Sequence, residues 1–194
     1  MSEATALQTA VPNDRAAVRA ALLQRRSEWW RSAEAPAARQ AMGEALKSLI
    51  RQLEPDCLGL YWALDAEFDV AALAIAEGWG KTMRLALPSA LKQGRQMDYR
   101  LWDGTAPQQR DECGIPCADG AIVQPDVLLV PCVGFSRDAY RIGYGGGYFD
   151  RWLARHAGVT TLGLAWAMTE LSFEPQAHDQ ALTMIVTERE LIMP

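Results

Sequence analysis

The feature that most constrains the fold is an apolar segment followed by a glycine-rich loop and a short helix, within residues 126–156. A run of branched apolar residues that begins at Val127 is typical of a buried strand, and Pro131 ends it. The predicted helix, Tyr148–His156, places Trp152 on the same side as its first residue, as an amphipathic helix requires. Together these elements predict an α/β fold.

The loop between this strand and helix has the composition of an anion site. Backbone N–H groups at the start of a helix, together with the helix dipole, attract phosphate. The spacing matches neither G-x-G-x-x-G nor the G-K-S/T pattern, so a tight turn that needs positive φ is the simpler alternative. Three consecutive glycines exceed what a turn requires, which favours phosphate binding. The residues concerned are Gly143, Gly145, Gly146 and Gly147, flanked by Arg141 and Arg151, with Asp150 placed to cap the helix or hold a divalent cation.

Composition limits the possible partners and compartments. The 194 residues suit one α/β domain over residues 13–194, after a flexible arm over residues 1–12. The net charge of −5 argues against binding to nucleic acid or to anionic membranes. We expect no signal peptide, because the N-terminus has Glu3 and no basic-then-apolar pattern. We expect no membrane span, because the longest apolar stretch, Val127–Phe135, is far too short. The expectation is a cytoplasmic monomer whose four cysteines, which lack zinc spacing, are reduced thiols.

The rest of the chain alternates short apolar strands with helices. Helices are predicted from Asn13 and over Pro36–Leu53, and a long loop is predicted over Asp103–Pro125. This alternation predicts a single-domain three-layer sandwich with a mostly parallel, Rossmann-like open sheet. The other strands are predicted at Cys57–Leu64, Thr82–Leu87 (closed by Pro88), Gln96–Trp102, Thr160–Trp166 and Met184–Thr187.

Two further groups of charged residues permit more than one interpretation. Arg15, Arg19 and Arg26 border the apolar stripe of the first helix. Helix geometry alone favours arginines that lay their stems along the edge of the contact and keep their charges in water. Glu67 follows the first strand, at the sheet edge where open α/β folds bind ligands. An exposed acid at the start of the next helix would explain Glu67 equally well.

The segment Arg141–Arg151, which reads Arg-Ile-Gly-Tyr-Gly-Gly-Gly-Tyr-Phe-Asp-Arg after a strand ending in Val-Pro, resembles the signature of 5-formyltetrahydrofolate cyclo-ligases. The likeness continues in the same order over about residues 13–190. Arg15-Ala-Ala-Val-Arg19 is similar to the basic pattern that contacts ATP in this family, and Glu67 lies at the place of its substrate-binding glutamate. The sequence departs from the family pattern at Ser136, where an aspartate is usual, and at Ala139, where a glycine is usual.

The resemblance implies ATP- and Mg²⁺-dependent closure of 5-formyltetrahydrofolate to 5,10-methenyltetrahydrofolate, with release of ADP and phosphate after phosphorylation of the formyl oxygen. It implies that Arg141 and Tyr148 are catalytic, and that Asp150 and Asp179 ligate magnesium, which prefers carboxylate oxygen. The implied ATP contacts are Arg15, Arg19, Arg141, Gly143, Tyr144, Gly145, Gly146, Gly147, Tyr148 and Phe149. The implied contacts to the reduced formyl-folate are Trp62, Glu67, Tyr144 and Tyr148.

Two alternatives stay open on the sequence. The changed segment Ser136–Ala139 is compatible with a homologue that binds folate or nucleotide with little turnover. A sugar-phosphate enzyme of similar architecture is a weaker possibility, since one fold serves many chemistries.

Overall fold

The computed structural model describes residues 14–194, so the predicted arm and the predicted helix start at Asn13 lie outside the described residues. The helices are α1 (Arg15–Trp30), α2 (Ala35–Leu53), α3 (Val70–Ala76) and α4 (Tyr148–Arg155). The strands are β1 (Cys57–Gly59), β2 (Arg84–Leu91), β3 (Gln96–Trp102), β4 (Gln109–Arg110), β5 (Pro116–Cys117), β6 (Ile122–Val123), β7 (Val127–Pro131), β8 (Gly134–Phe135), β9 (Arg141–Ile142), β10 (Thr160–Leu164), β11 (Met184–Val186) and β12 (Leu191–Ile192).

Eight of these strands form one mixed sheet in the order β12-β11-β10-β7-β1-β2-β3-β6. The five inner strands, β11, β10, β7, β1 and β2, run parallel to one another. The outer strands β12, β3 and β6 pair antiparallel at the two edges. The prediction of a mostly parallel open sheet is therefore confirmed. Two small antiparallel pairs, β4 with β5 and β8 with β9, lie outside this sheet.

Alternate residues of β7 face opposite sides of the sheet, and both sides are covered by helices. Val127 and Leu129 join the buried cluster that contains the inner sides of α2 and α3. Leu128 and Val130 join the cluster that contains Trp152 of α4. Because every residue of β7 is buried, the strand has the continuous apolar sequence expected of a central parallel strand. This packing confirms the predicted three-layer sandwich.

The ends of two predicted strands differ most from the structure. The first strand ends at Gly59, not at Leu64, because the chain leaves the sheet there and Tyr61, Trp62 and Leu64 line a cavity instead. The second strand continues through Pro88. The carbonyl of Ala86 accepts from Leu60 N, so Pro88, two residues further on, directs its nitrogen to the same side. That side is unpaired beyond the last residue of β1, so the missing N–H costs no ladder hydrogen bond.

Other parts of the prediction were incomplete. The predicted loop Asp103–Pro125 contains the two-residue strands β4, β5 and β6, and the β8–β9 hairpin and β12 were not predicted. All four cysteines are free thiols, as predicted. No helix within residues 14–194 is long and apolar enough to cross a membrane.

Helix α1 lies beside the β8–β9 hairpin, next to the glycine loop. The Asp14 carboxylate caps α1 by accepting a hydrogen bond from Ala16 N at 2.8 Å. Val18 and Leu22 of this helix pack against Val133 and Ile142 in a small buried cluster. Since the glycine loop follows Ile142 directly, this contact holds the polar edge of α1 near the loop.

Candidate active site

A cavity of about 620 Å³ lies at the carboxyl ends of the inner parallel strands, where open α/β sheets bind ligands. Residues that are far apart in the sequence meet on its walls, from α1, the segment after β1, the glycine loop and residues 176–179. Arg151, which flanks the glycine loop in the sequence, does not line the cavity and donates to the carbonyl of Gly146 at 2.9 Å. The cavity brings together all of the residues for which the family resemblance implied a role: Arg15, Arg19, Trp62, Glu67, Arg141, Gly143, Tyr144, Gly145, Gly146, Gly147, Tyr148, Phe149, Asp150 and Asp179.

The glycines of the loop have different physical requirements. Gly145 has φ +89° and Gly147, at the N-cap of α4, has φ +67°, a region that strongly favours glycine. At Gly146, a Cβ atom would lie 2.7 Å from the Tyr148 ring. Gly143 is different, because it lacks positive φ and its Cβ would meet no protein atom within 4 Å. A tight turn therefore explains three glycines but not Gly143, which faces the open cavity.

The first two arginines of α1 point into the cavity. They do not lie along the edge of the apolar contact of α1 with their charges in water. Arg19 Nε donates to the carbonyl of Gly143 at 2.6 Å. Arg15 Nη2 and Nη1 donate to the two oxygens of Asp179, at 2.6 and 3.2 Å. The interpretation of this row as snorkelling side chains was therefore wrong. It failed because the apolar stripe packs on the hairpin that leads into the loop, which aims the adjacent arginines at the loop.

The two predicted metal ligands are each paired with an arginine. Asp150 Oδ1 lies 2.9 Å from Arg141 Nη2, and α4 is capped by Gly147 without a side-chain hydrogen bond, so Asp150 is not the helix cap. Burial raises the pKa of Asp179, but the hydrogen bonds from Arg15 and from Gln176 N outweigh it and bring this pKa below its ordinary value. Within residues 14–194, no group of three or more histidine, cysteine or acidic side chains could hold a metal ion.

Glu67 is buried, with 6% of its surface exposed, so the interpretation as an exposed helix-entry acid was wrong. The Tyr144 hydroxyl donates to Glu67 Oε1 at 2.6 Å, and Leu64 N donates to Oε2 at 2.7 Å. Burial raises the pKa of Glu67, while the Tyr144 hydrogen bond opposes this rise. The carboxylate is thus held in place by two donors at the cavity wall.

Sequence reasoning missed Arg26 as a member of this site. Its side chain is buried, and Nη2 donates to the Tyr144 hydroxyl at 2.6 Å. The available signal was its position on the same side of α1 as Arg15 and Arg19. On the sequence alone that position indicates the edge of the apolar contact, because nothing in the sequence shows what the three arginines face.

Aromatic and sulfur-containing side chains form another part of the wall. Trp62 packs edge-on against the buried Trp102, with ring centroids 6.5 Å apart. Cys113 Sγ donates to the Tyr148 hydroxyl at 3.2 Å, and the Arg141 guanidinium lies 5.8 Å from the Phe149 ring centroid. Such flat apolar surfaces suit the face of a heteroaromatic ring.

A mostly parallel α/β sheet with a mixed polar and aromatic cavity at its carboxyl edge defines the class of small-molecule enzymes of open α/β architecture. The sequence profile of the 5-formyltetrahydrofolate cyclo-ligase family matches residues 11–188, and the chain belongs to this family. The predicted resemblance and the predicted enzyme class are thereby confirmed.

Individual relatives agree with this assignment. A 5-formyltetrahydrofolate cyclo-ligase from Haemophilus influenzae is 27% identical over 151 residues, which cover 73% of this chain and 80% of that protein. One from Mycoplasma pneumoniae is 35% identical over 66 residues, or 34% of this chain and 40% of that protein.

Two solved structures share the fold. The NMR structure of the Aquifex aeolicus 5,10-methenyltetrahydrofolate synthetase is 25% identical, with a TM-score of 0.74 over 92% of each chain. The 5,10-methenyltetrahydrofolate synthetase from Mycoplasma pneumoniae is 19% identical, with a TM-score of 0.73 over 91% of this chain and 99% of that one.

Proposed function

We propose that the chain catalyses the ATP- and Mg²⁺-dependent cyclisation of 5-formyltetrahydrofolate to 5,10-methenyltetrahydrofolate. The observation that carries the proposal is the lining of one cavity by two kinds of site. One is the glycine loop with Arg15, Arg19 and Arg141, which suits a triphosphate. The other is the buried Glu67 with its aromatic neighbours, which suits the N–H groups and flat ring of a pterin. The names of the family and of its relatives support the same substrate.

In the proposed reaction, the formyl oxygen attacks the γ-phosphorus of ATP and ADP departs. The second folate nitrogen then attacks the formyl carbon and loses its proton, and the oxygen leaves with the phosphate. Phosphoryl transfer depends mainly on positioning and charge stabilisation. Arg141 and the loop amides would stabilise the transferring phosphoryl group, and Tyr148 would hold the folate ring beside it. No covalent nucleophile from the chain is needed.

The residues present fit a magnesium ion that binds together with a nucleotide. Mg²⁺ is usually held by one or two carboxylates plus substrate phosphates and water, and it does not need a complete protein cage. Asp150 and Asp179 both line the cavity and would hold it. Each is now ion-paired with an arginine, so the same arginines would turn to the phosphates. When bound, the ion would neutralise phosphate charge.

The segment that motivated the binding-only alternative is accommodated in the hairpin. Ala139 adopts φ +57°, the left-handed conformation that a glycine would take, and is fully buried. Ser136 N donates to the carbonyl of Tyr140 at 2.9 Å, so the β8–β9 turn is closed without the usual glycine. The hairpin that leads into the glycine loop therefore forms with both substitutions present, which is compatible with turnover.

The test is to supply the protein with 5-formyltetrahydrofolate, ATP and Mg²⁺ and to follow the near-ultraviolet absorbance of the methenyl product. We expect product only when all three are present. The two controls are reactions without ATP and reactions without Mg²⁺. Tight folate binding by calorimetry without any ATP-dependent product would instead favour the binding-only alternative.

A further inference from the structure

We propose that Arg26 is a positioning residue for the folate contacts of the cavity: its buried guanidinium fixes Tyr144 and maintains Glu67 as an acceptor for substrate N–H groups. The inference rests on the proposed function and adds to it a residue outside the phosphate loop. Arg26 does not line the large cavity, so it acts through Tyr144 and Glu67, which do.

The contacts of Arg26 are those of a buried charge with dedicated partners. Only 2% of the residue is exposed. Nη2 donates to the carbonyl of Asp65 at 2.9 Å and to the Tyr144 hydroxyl at 2.6 Å, and Nη1 lies 3.7 Å from Glu67 Oε1. A buried guanidinium is costly unless it is paired, so removal of either partner is expected to leave the other unsatisfied. Three segments, α1, the glycine loop and the segment after β1, meet at this one side chain.

These contacts fix the direction of the Tyr144 hydrogen bond. Arginine only donates, so the Tyr144 oxygen must accept from Arg26. The single hydroxyl proton is then available for Glu67 Oε1, at 2.6 Å. Glu67 consequently accepts at both oxygens, from Tyr144 and from Leu64 N. Each carboxylate oxygen can accept a second hydrogen bond, so Glu67 retains acceptor capacity at the cavity wall.

The charge on Glu67 depends on the groups that surround it. Burial raises its pKa, the Tyr144 and Leu64 hydrogen bonds and the Arg26 charge lower it, and Asp65 raises it. Two other titratable groups face it, and both stay neutral: burial raises the pKa of Tyr61 well above its ordinary value, and burial raises that of Cys132 to about 12. Without Arg26, burial and the Asp65 charge still raise the pKa of Glu67, and fewer contacts remain to lower it. Glu67 would then take up a proton at a higher pH and lose acceptor capacity.

The experiment compares Arg26→Gln and Arg26→Lys with Arg25→Gln, a matched control at the adjacent and exposed position of α1. KM for 5-formyltetrahydrofolate and for ATP would be measured from mildly acidic to mildly alkaline pH. For Arg26→Gln we expect the folate KM to rise about 10- to 100-fold, the effect of losing a hydrogen bond to a charged group, with a much smaller rise in KM for ATP. The rise should be largest at acidic pH and diminish as pH increases. Arg26→Lys should restore the pH profile but only part of the affinity, because one ammonium cannot reproduce the forked contacts.

Several outcomes would overturn this inference. It is wrong if folded Arg26→Gln keeps the wild-type folate KM and pH profile, or if folate and ATP affinities fall equally, as for a purely structural residue. If Arg26→Gln does not fold, Tyr144→Phe, which removes the hydroxyl that Arg26 holds, must raise the folate KM and shift the pH profile in the same direction, because the Tyr144 hydrogen bond also lowers the pKa of Glu67. Calorimetric folate binding to the same variants tests Arg26 even if the wild-type protein forms no product, an outcome that refutes only the proposed function. Absence of folate binding by the wild-type protein would refute both.

Discussion

Replacing Gly143 by alanine separates the two explanations of the glycine loop. Gly143 lacks positive φ, and a Cβ atom there would meet no protein atom within 4 Å, so the folded chain has room for the methyl group. Where the conformation is compatible, a glycine-to-alanine change stabilises by about 0.4–1 kcal/mol through the unfolded chain. We therefore expect the free energy of unfolding of Gly143→Ala to equal or slightly exceed that of the wild-type protein.

The same methyl group should impair ligand binding. Gly143 lines the cavity, so the added atom occupies space in which a phosphate would approach the main chain. Forcing an extra methyl group into a closely packed contact costs about 1–3 kcal/mol, which corresponds to roughly 5- to 150-fold weaker ATP binding. If Gly143 only served a tight turn, Gly143→Ala would not combine unchanged stability with weaker ATP binding.

Urea unfolding and the KM for ATP in the methenyl assay measure these two effects. Gly80→Ala is the neutral control, because its Cβ would make only an ordinary contact of 3.5 Å with Leu85, outside the cavity. Gly145→Ala is the strained control, since φ is +89° and Arg19 lies 3.0 Å from the added atom, and it should lose about 1–2 kcal/mol of stability. If Gly143→Ala binds ATP as tightly as the wild-type protein, the proposal that a phosphate approaches Gly143 is wrong. If Gly143→Ala loses as much stability as Gly145→Ala, the loop does not have the room for a methyl group that the structure shows at Gly143.

Three further predictions concern charges and a thiol at the cavity. Arg141→Ala should reduce turnover about 10- to 100-fold in the methenyl assay, because a charge-assisted hydrogen bond to the phosphoryl group is lost; an unchanged rate would remove Arg141 from the mechanism. The pKa of Asp179 lies below its ordinary value, so its ion pair stabilises the fold above that value and the stabilisation is lost as pH falls. In urea unfolding, the free energy of unfolding of Asp179→Asn should therefore be lower than that of the wild-type protein at neutral pH, by about 1 kcal/mol or less, and the difference should vanish in acid. A difference that does not change with pH would contradict this. Of the four cysteines only Cys113 is exposed, so a thiol reagent should modify one thiol in the native protein, and ATP with folate should slow it; modification of Cys113→Ser at the same rate would disprove the assignment.

The fold could be predicted because its central strand carries an unambiguous signal. All five residues of β7 are buried, and only a strand covered on both faces requires such an uninterrupted apolar sequence. Pro88 shows the limit of this reasoning. Whether a proline ends a strand depends on which neighbour its nitrogen would face, and that neighbour, β1, stops at Gly59. The residues around Pro88 in β2 do not indicate where β1 ends.

Nine of the fourteen predicted site residues belong to the segment Arg141–Arg151 and could be predicted from that local motif, whereas Glu67 and Arg26 required long-range information. Glu67 precedes α3 and has the sequence surroundings of a solvent-exposed acid, yet it is buried against Tyr144, 77 residues later. No periodicity within either segment predicts their contact. The family resemblance supplied Glu67, and the motifs that carried it did not include Arg26.

The three arginines of α1 show how one helix face links distant parts of the chain. At 100° per residue, positions 15, 19 and 26 fall within about 40° of one another, and they span about 16 Å along the axis. Over that length they contact Asp179, the carbonyl of Gly143 and the Tyr144 hydroxyl, respectively. The first two contacts belong to the proposed nucleotide site and the third to the proposed folate site, so the rotational setting of α1 determines both. A change that rotates this helix, such as a larger residue at Leu22 in its buried contact, should therefore weaken the binding of both substrates together, whereas the Arg26 variants should weaken mainly the binding of folate.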